Sequence, residues 1–140
     1  MSVVLNPYLS FRDTARDALT FYHEVSGGEL TLSTFGEMHA SDDPAEAEKI
    51  MHGRLDGASG LTLMGADTPN VMPLADDSAV AVSLSGDDES LLRGIWEKLS
   101  AGGTDVLPLE QAPWGDYFGM CRDRFGVRWL VNIAGSPPGA

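Results

Sequence analysis

Residues 3–11 read as a first strand, with Leu5, Leu9 and Phe11 falling on one face and Asn6, Tyr8 and Ser10 on the other. Pro7 lies inside it and has no N–H for a ladder, so the segment should be a sheet edge or a strand end. The period then changes. Asp13 offers an N-cap, and Ala15, Ala18, Leu19, Tyr22 and Val25 follow at helical spacing until Gly27 and Gly28 stop the run. Residues 29–36 and 49–55 have strand character, with a loop over 41–47 between them. Asp56 and Gly57 suggest a turn, and 61–64 a further short strand. The stretch 68–77 is rich in Pro, Asn and Asp and reads as a linker.

The same order then returns. Residues 79–85 predict a strand, and Asp87 or Asp88 caps a helix carrying Leu91, Leu92, Ile95, Trp96 and Leu99. Gly102 and Gly103 end that helix, and 104–109, 118–122 and 127–133 supply three more strands. A short tail at 136–140 is expected to be disordered. The expectation is a single α+β domain over 1–140. It holds two βαβββ modules, about 1–68 and 77–135, joined by a linker at about 69–76. Two such modules should form curved mixed sheets around a shared cleft.

Strand parity divides the faces. Asn6, Tyr8 and Ser10 share one side of the first strand, and Leu5, Leu9 and Phe11 the other. In the fifth, Ala79, Ala81, Ser83 and Ser85 oppose Val80, Val82 and Leu84. The apolar sets should pack under the helices, and the polar or small sets should line the cleft.

Hydrophobic residues make up 43% of the chain, enough for a packed core. The formal charge, 9 − 21 = −12, repels phosphate backbones and anionic headgroups, so neither nucleic acid nor membrane is an expected partner. Cys121 is the only cysteine, which excludes an internal disulfide and a thiolate metal cluster. Residues 1–11 carry no basic, apolar leader pattern, and no run is long enough to span a bilayer, so the expected compartment is the cytoplasm. Neither G-x-G-x-x-G nor G-x-x-x-x-G-K-[ST] occurs, so no nucleotide-phosphate loop is indicated.

Two passages carry a family resemblance. Asn6-Pro7-Tyr8-Leu9-Ser10-Phe11-Arg12-Asp13, with Ala18-Leu19-Thr20-Phe21-Tyr22 and Gly27-Gly28-Glu29, resembles the opening module of the glyoxalase, bleomycin-resistance and dioxygenase (vicinal oxygen chelate) superfamily. Trp114-Gly115-Asp116-Tyr117-Phe118-Gly119-Met120, then Asp123-Arg124-Phe125-Gly126-Val127-Arg128-Trp129, is similar to the closing module of its PhnB-like branch, as are Met51-His52-Gly53 and Leu63-Met64. The resemblance implies paired βαβββ modules enclosing a small-molecule cavity, and because single modules bury little area and curved sheets leave edges that need cover, a symmetric homodimer is expected. It also implies, for the enzymes, a divalent metal held at positions matching Asn6, Thr62 or Met64, Ala81 and Leu130. Those residues are poor ligands, because such sites want imidazole, carboxylate or thiolate. No metal and no cofactor are therefore expected. Nothing resembles an S-adenosylmethionine site, so the methyltransferase label sometimes given to this branch is not accepted.

The expected ligand site comprises Tyr8, Ser10, His52, Arg54, Trp114 and Phe118. His52 shares a strand face with Arg54, a pair suited to an anionic or oxygen-rich ligand. It is also the best catalytic candidate, since imidazoles exchange protons near neutrality. The plain alternative is a strand histidine bonded to a backbone carbonyl. Trp114, Tyr117 and Phe118 form an expected aromatic cluster, which could equally close a sheet edge. Asp116 and Asp123 read as turn residues, and His23 and His39 as surface residues. The function expected is binding, with or without transformation, of a small metabolite in a metal-free cleft. The alternatives are an antibiotic-sequestering protein, whose acidic cleft would attract a cationic drug, and a metal-dependent lyase or dioxygenase.

Overall fold

The structure, a computed structural model, describes residues 3, 5–39, 41–74 and 78–135. The expected tail at 136–140 and residues 75–77 of the expected linker lie outside the described residues. The chain divides into two compact units, Met1–Asp76 and Asp77–Ala140.

The first unit runs β1 (Tyr8–Phe11), α1 (Ala15–Ser26), β2 (Glu29–Thr34), β3 (Ile50–Asp56) and β4 (Thr62–Asp67), with short 3-10 turns at Pro44–Glu46 and Ala58–Gly60. Its sheet has the order β1-β4-β3-β2, parallel at β1–β4 and antiparallel elsewhere. The second unit repeats this plan with β5 (Val82–Gly86), α2 (Glu89–Ser100), β6 (Thr104–Gln111), β7 (Tyr117–Arg122) and β8 (Arg128–Ile133). Its order is β5-β8-β7-β6, again with one parallel pair, β5–β8. The fold is thus α+β, built from two βαβββ modules. No helix among the described residues is long and apolar enough to cross a membrane.

Each helix covers one face of its sheet. Ala15, Ala18, Leu19 and Tyr22 of α1 are buried over Phe11, Ile50, Leu55 and Leu63. Leu92, Ile95, Trp96 and Leu99 of α2 are buried over Cys121, Trp129, Val131 and Ile133. Each large apolar side chain buried this way contributes roughly 1.5–3 kcal/mol. A strand glycine sits under each helix at the closest approach. A Cβ on Gly53 would meet Leu19 Cδ1 at 2.3 Å, and one on Gly119 would meet the Trp96 ring at 3.0 Å. The strand registers make these two glycines counterparts: Gly53 pairs with Gly65 beside Leu9, and Gly119 with Val131 beside Leu84. Cys121, sealed under α2, has its thiol pushed up to about 11 by burial and by the Asp123 carboxylate, so it stays protonated near neutral pH.

Several boundaries differ from the expected ones. The first strand begins at Tyr8 rather than residue 3, because pairing to β4 starts after Pro7. The fifth begins at Val82 rather than 79. Asp88 does cap α2, accepting from the Leu91 N–H at 3.1 Å. Asp13 does not cap α1. It adopts a left-handed backbone, φ 67°, and its carboxylate pairs with Lys49 at 2.7 Å. The Ala15 N–H donates instead to Asp67, at the far end of β4, at 2.9 Å.

The linker is fastened along its first half. The Arg12 guanidinium donates to the carbonyls of Thr68, Pro69 and Met72 at 3.0, 2.7 and 2.7 Å. The buried Glu46 accepts from the Asn70 N–H, and Lys49 Nζ donates to the Asn70 side chain. These side chains tie residues 68–72 to the first unit.

Candidate functional site

The face of each sheet that no helix of its own unit covers is where polar chemistry collects. In the first unit, β3 reaches it through a bulge. Thr34 pairs with Ile50 and Ser33 with His52, so Met51 is the inserted residue. The bulge turns Ile50 inward to full burial while His52, Arg54 and Asp56 take the open side. Tyr8 joins them from β1, two strands away, with Met64 of β4 opposite both Tyr8 and Arg54.

Tyr8 and His52 touch. The hydroxyl lies 3.4 Å from His52 Nδ1 and the rings are 5.9 Å apart between centroids. His52 is half-buried. Its ring partner is thus a side chain on the open face. Ser10 shares this face and is exposed. Arg54 is engaged: its Nε donates to both Asp56 carboxylate oxygens at 3.1 Å, which raises the guanidinium pKa. Asp56 therefore offsets much of the charge Arg54 would present. As a turn residue it escaped notice, although alternation of Arg54 with Asp56 along β3 would have placed both on one face.

In the second unit, Trp114 and Phe118 pack with centroids 6.4 Å apart. Tyr117 does not belong to this cluster. It is Phe118's neighbour on β7 and points to the other face, where the Arg93 guanidinium lies 4.8 Å from its ring centroid. Asp123 is a turn residue, buried, accepting from the Phe125 and Val127 N–H groups and from the Trp129 indole at 2.8 Å. His39 is exposed, whereas His23 is half-buried with its ring nitrogen 2.9 Å from the Gly28 carbonyl.

Asp116 joins the entry of β7 to the end of β8, accepting from Asn132 Nδ2 and the Gly135 N–H, both at 3.0 Å. The Asn132 amide, then Gly135, and lastly Trp114 hold its carboxyl below the usual carboxylate range, against some desolvation. A lowered folded pKa stabilises the fold above the ordinary carboxylate pKa, and the effect is lost as pH falls through the lowered value. Asp116→Asn should accordingly be less stable than the parent near neutrality, with the gap closing as pH falls through the lowered carboxylate pKa. Urea melts across this range measure it, and a gap independent of pH would exclude ionisation as its source.

The registers also decide which residues occupy the positions of a family metal. Met64 faces Tyr8 across β1–β4 as Leu130 faces Ser83 across β5–β8, so Met64, not Thr62, is the counterpart of Leu130. Asn6 and Ala81 are the matching residues before β1 and β5. A thioether, two aliphatic side chains and one amide do not fit a divalent ion that seeks imidazole and carboxylate. Among the described residues, no three His, Cys, Asp or Glu side chains group so as to hold a metal.

Residues 4–131 match the family model described as the Glyoxalase/Bleomycin resistance protein/Dioxygenase superfamily. Protein YjdN of Escherichia coli (strain K12) is 31% identical over 147 residues, covering 96% of this chain and 97% of its own. The crystal structure of protein PA1353 from Pseudomonas aeruginosa superposes with a TM-score of 0.83 at 36% identity, over 96% of this chain and 100% of that one. A PhnB protein from Bacillus cereus shares the fold, with a TM-score of 0.74 at 20% identity over 94% of this chain and 100% of that one.

Proposed function

Because the chain belongs to the glyoxalase/bleomycin resistance protein/dioxygenase superfamily, we propose that it binds a small organic molecule on its open sheet faces, without a resident divalent metal. His52 is the principal polar contact. The observation that carries this reading is the Tyr8–His52 pair, a half-buried imidazole held by a phenol on a face that its own helix leaves uncovered. A histidine kept for packing would be expected beneath α1. This one stands beside exposed Tyr8 and Ser10, where ligand contact is the better use of it. Met64 and Leu130 support the metal-free part, since they present apolar surface where the superfamily's enzymes place carboxylates. Whether the bound molecule is transformed rests on His52, the one imidazole on this face among the described residues.

The test is a thermal-shift screen of small metabolites with and without divalent metals, followed by His52→Ala. The expected result is a stabilising ligand whose effect needs no metal. His52→Ala should weaken its binding about tenfold while shifting stability by less than about 0.5 kcal/mol. A large loss of melting temperature with unchanged affinity would return His52 to the scaffold. A ligand that binds only with a metal would overturn the metal-free assignment.

A further inference from the structure

The open face of the second unit has a direction. Three cross-strand rows run along the β7–β8 hairpin: Phe118 opposite Asn132, Met120 opposite Leu130, and Arg122 opposite Arg128. The middle row widens onto β6, where Leu107 pairs with Met120. Leu107 and Met120 of this apolar row are 50% and 37% exposed. Trp114, packed on Phe118 and 60% exposed, extends the first row. The two ends differ in charge. Glu110 faces Phe118 across β6–β7 and Asp116 bonds Asn132, so the aromatic end is acidic. The far end carries two guanidinium groups, and Arg122 is oriented by donating Nε to the Gly126 carbonyl at 3.2 Å. Two arginines thus stand opposite each other at this end of the apolar strip, in a chain of net charge −12.

We infer that this face takes a small apolar monocarboxylate, its aromatic or alkyl end against Phe118 and Trp114 and its carboxylate at Arg122 and Arg128. The inference rests on the proposal that the open faces bind the ligand, and it adds the ligand's class, polarity and length. Arginine forks suit carboxylates, and Glu110 and Asp116 disfavour the reverse orientation. The outer rows are four residues apart along each strand, roughly 13 Å at the usual rise per residue. That spans a phenyl ring joined to a carboxylate by a medium-length alkyl chain.

The probes are 8-phenyloctanoate, 8-phenyloctanol and 8-phenyloctylamine, titrated calorimetrically into the full chain. The acid should bind, the alcohol about tenfold more weakly and the amine more weakly still. The Arg122→Gln/Arg128→Gln variant should lose about tenfold in affinity for the acid and keep its affinity for the alcohol within about twofold. Phe118→Ala should weaken both. Circular dichroism checks that each variant is folded, and either single arginine variant replaces the double one if it is not. Equal binding of acid and alcohol, or an arginine variant that binds the acid as the parent does, overturns the polarity and with it the inference. That outcome leaves the open-face reading intact, because the strip would still bind. If none of the three probes binds, the inference fails on this strip, and the His52 experiment judges the broader proposal separately.

Discussion

Replacing Asp67 by alanine is expected to cost about 3 kcal/mol, which for a chain of this size lowers the melting temperature by roughly 10 °C. Asp67 is buried at the end of β4, and its two carboxylate oxygens accept from two backbone N–H groups. Oδ1 takes the Ala15 N–H, the first of α1, and Oδ2 takes the Ile50 N–H, the first of β3, both at 2.9 Å. A single side chain thus joins the start of the helix to two neighbouring strands. Alanine would leave both donors buried without an acceptor, and water has little access to replace it. Asp13→Ala is the control. Asp13 is half-exposed, and its contact is a pair with Lys49, a kind of interaction worth at most about 1 kcal/mol at a surface. Thermal melts of the two variants decide the matter. If Asp13→Ala proved the more damaging, the helix would be capped locally after all.

Asp123→Ala should be at least as damaging, by about 4 kcal/mol. Its carboxylate receives the Phe125 and Val127 N–H groups and the Trp129 indole, whose side chain is itself buried. The first two shape the β7–β8 turn, and the third anchors a core residue to it. A double-mutant cycle separates these roles. Trp129→Phe removes the indole donor, so Asp123→Ala made in that background should cost less than in the parent, by about 1 kcal/mol. Strict additivity, measured by urea denaturation, would show that the indole bond contributes nothing and that the turn alone needs Asp123.

Much of this protein was legible from residue order. The helices follow from apolar spacing alone, because burying Ala18, Leu19 and Tyr22, or Leu92, Ile95, Trp96 and Leu99, requires one stripe on a 3.6-residue period. The glycine pairs stop them by local conformational preference; Gly27 takes φ 71° at the end of α1. Repetition of the pattern implied the duplicated βαβββ plan, and parity placed Tyr8 and Ser10 opposite Phe11. Other features were decided only by contacts between residues far apart in sequence. The cap of α1 comes from Asp67, 52 positions beyond the N–H it accepts, and no local rule could prefer it to Asp13. By parity, Ile50, His52 and Arg54 should share a face. The bulge at Met51 separates them, since the β2–β3 pairing absorbs one extra residue on β3 to bury isoleucine and keep histidine outside. Likewise, Asp56 reaches Arg54 only because β3 runs one residue further than its apolar pattern suggested, and Met64 became the counterpart of Leu130 only through the strand registers. Periodicity records which side of an element is buried, a local property of the chain. Register, bulges and long-range caps are chosen by packing and hydrogen bonding across the sheet, and those energies exist only once the strands have met.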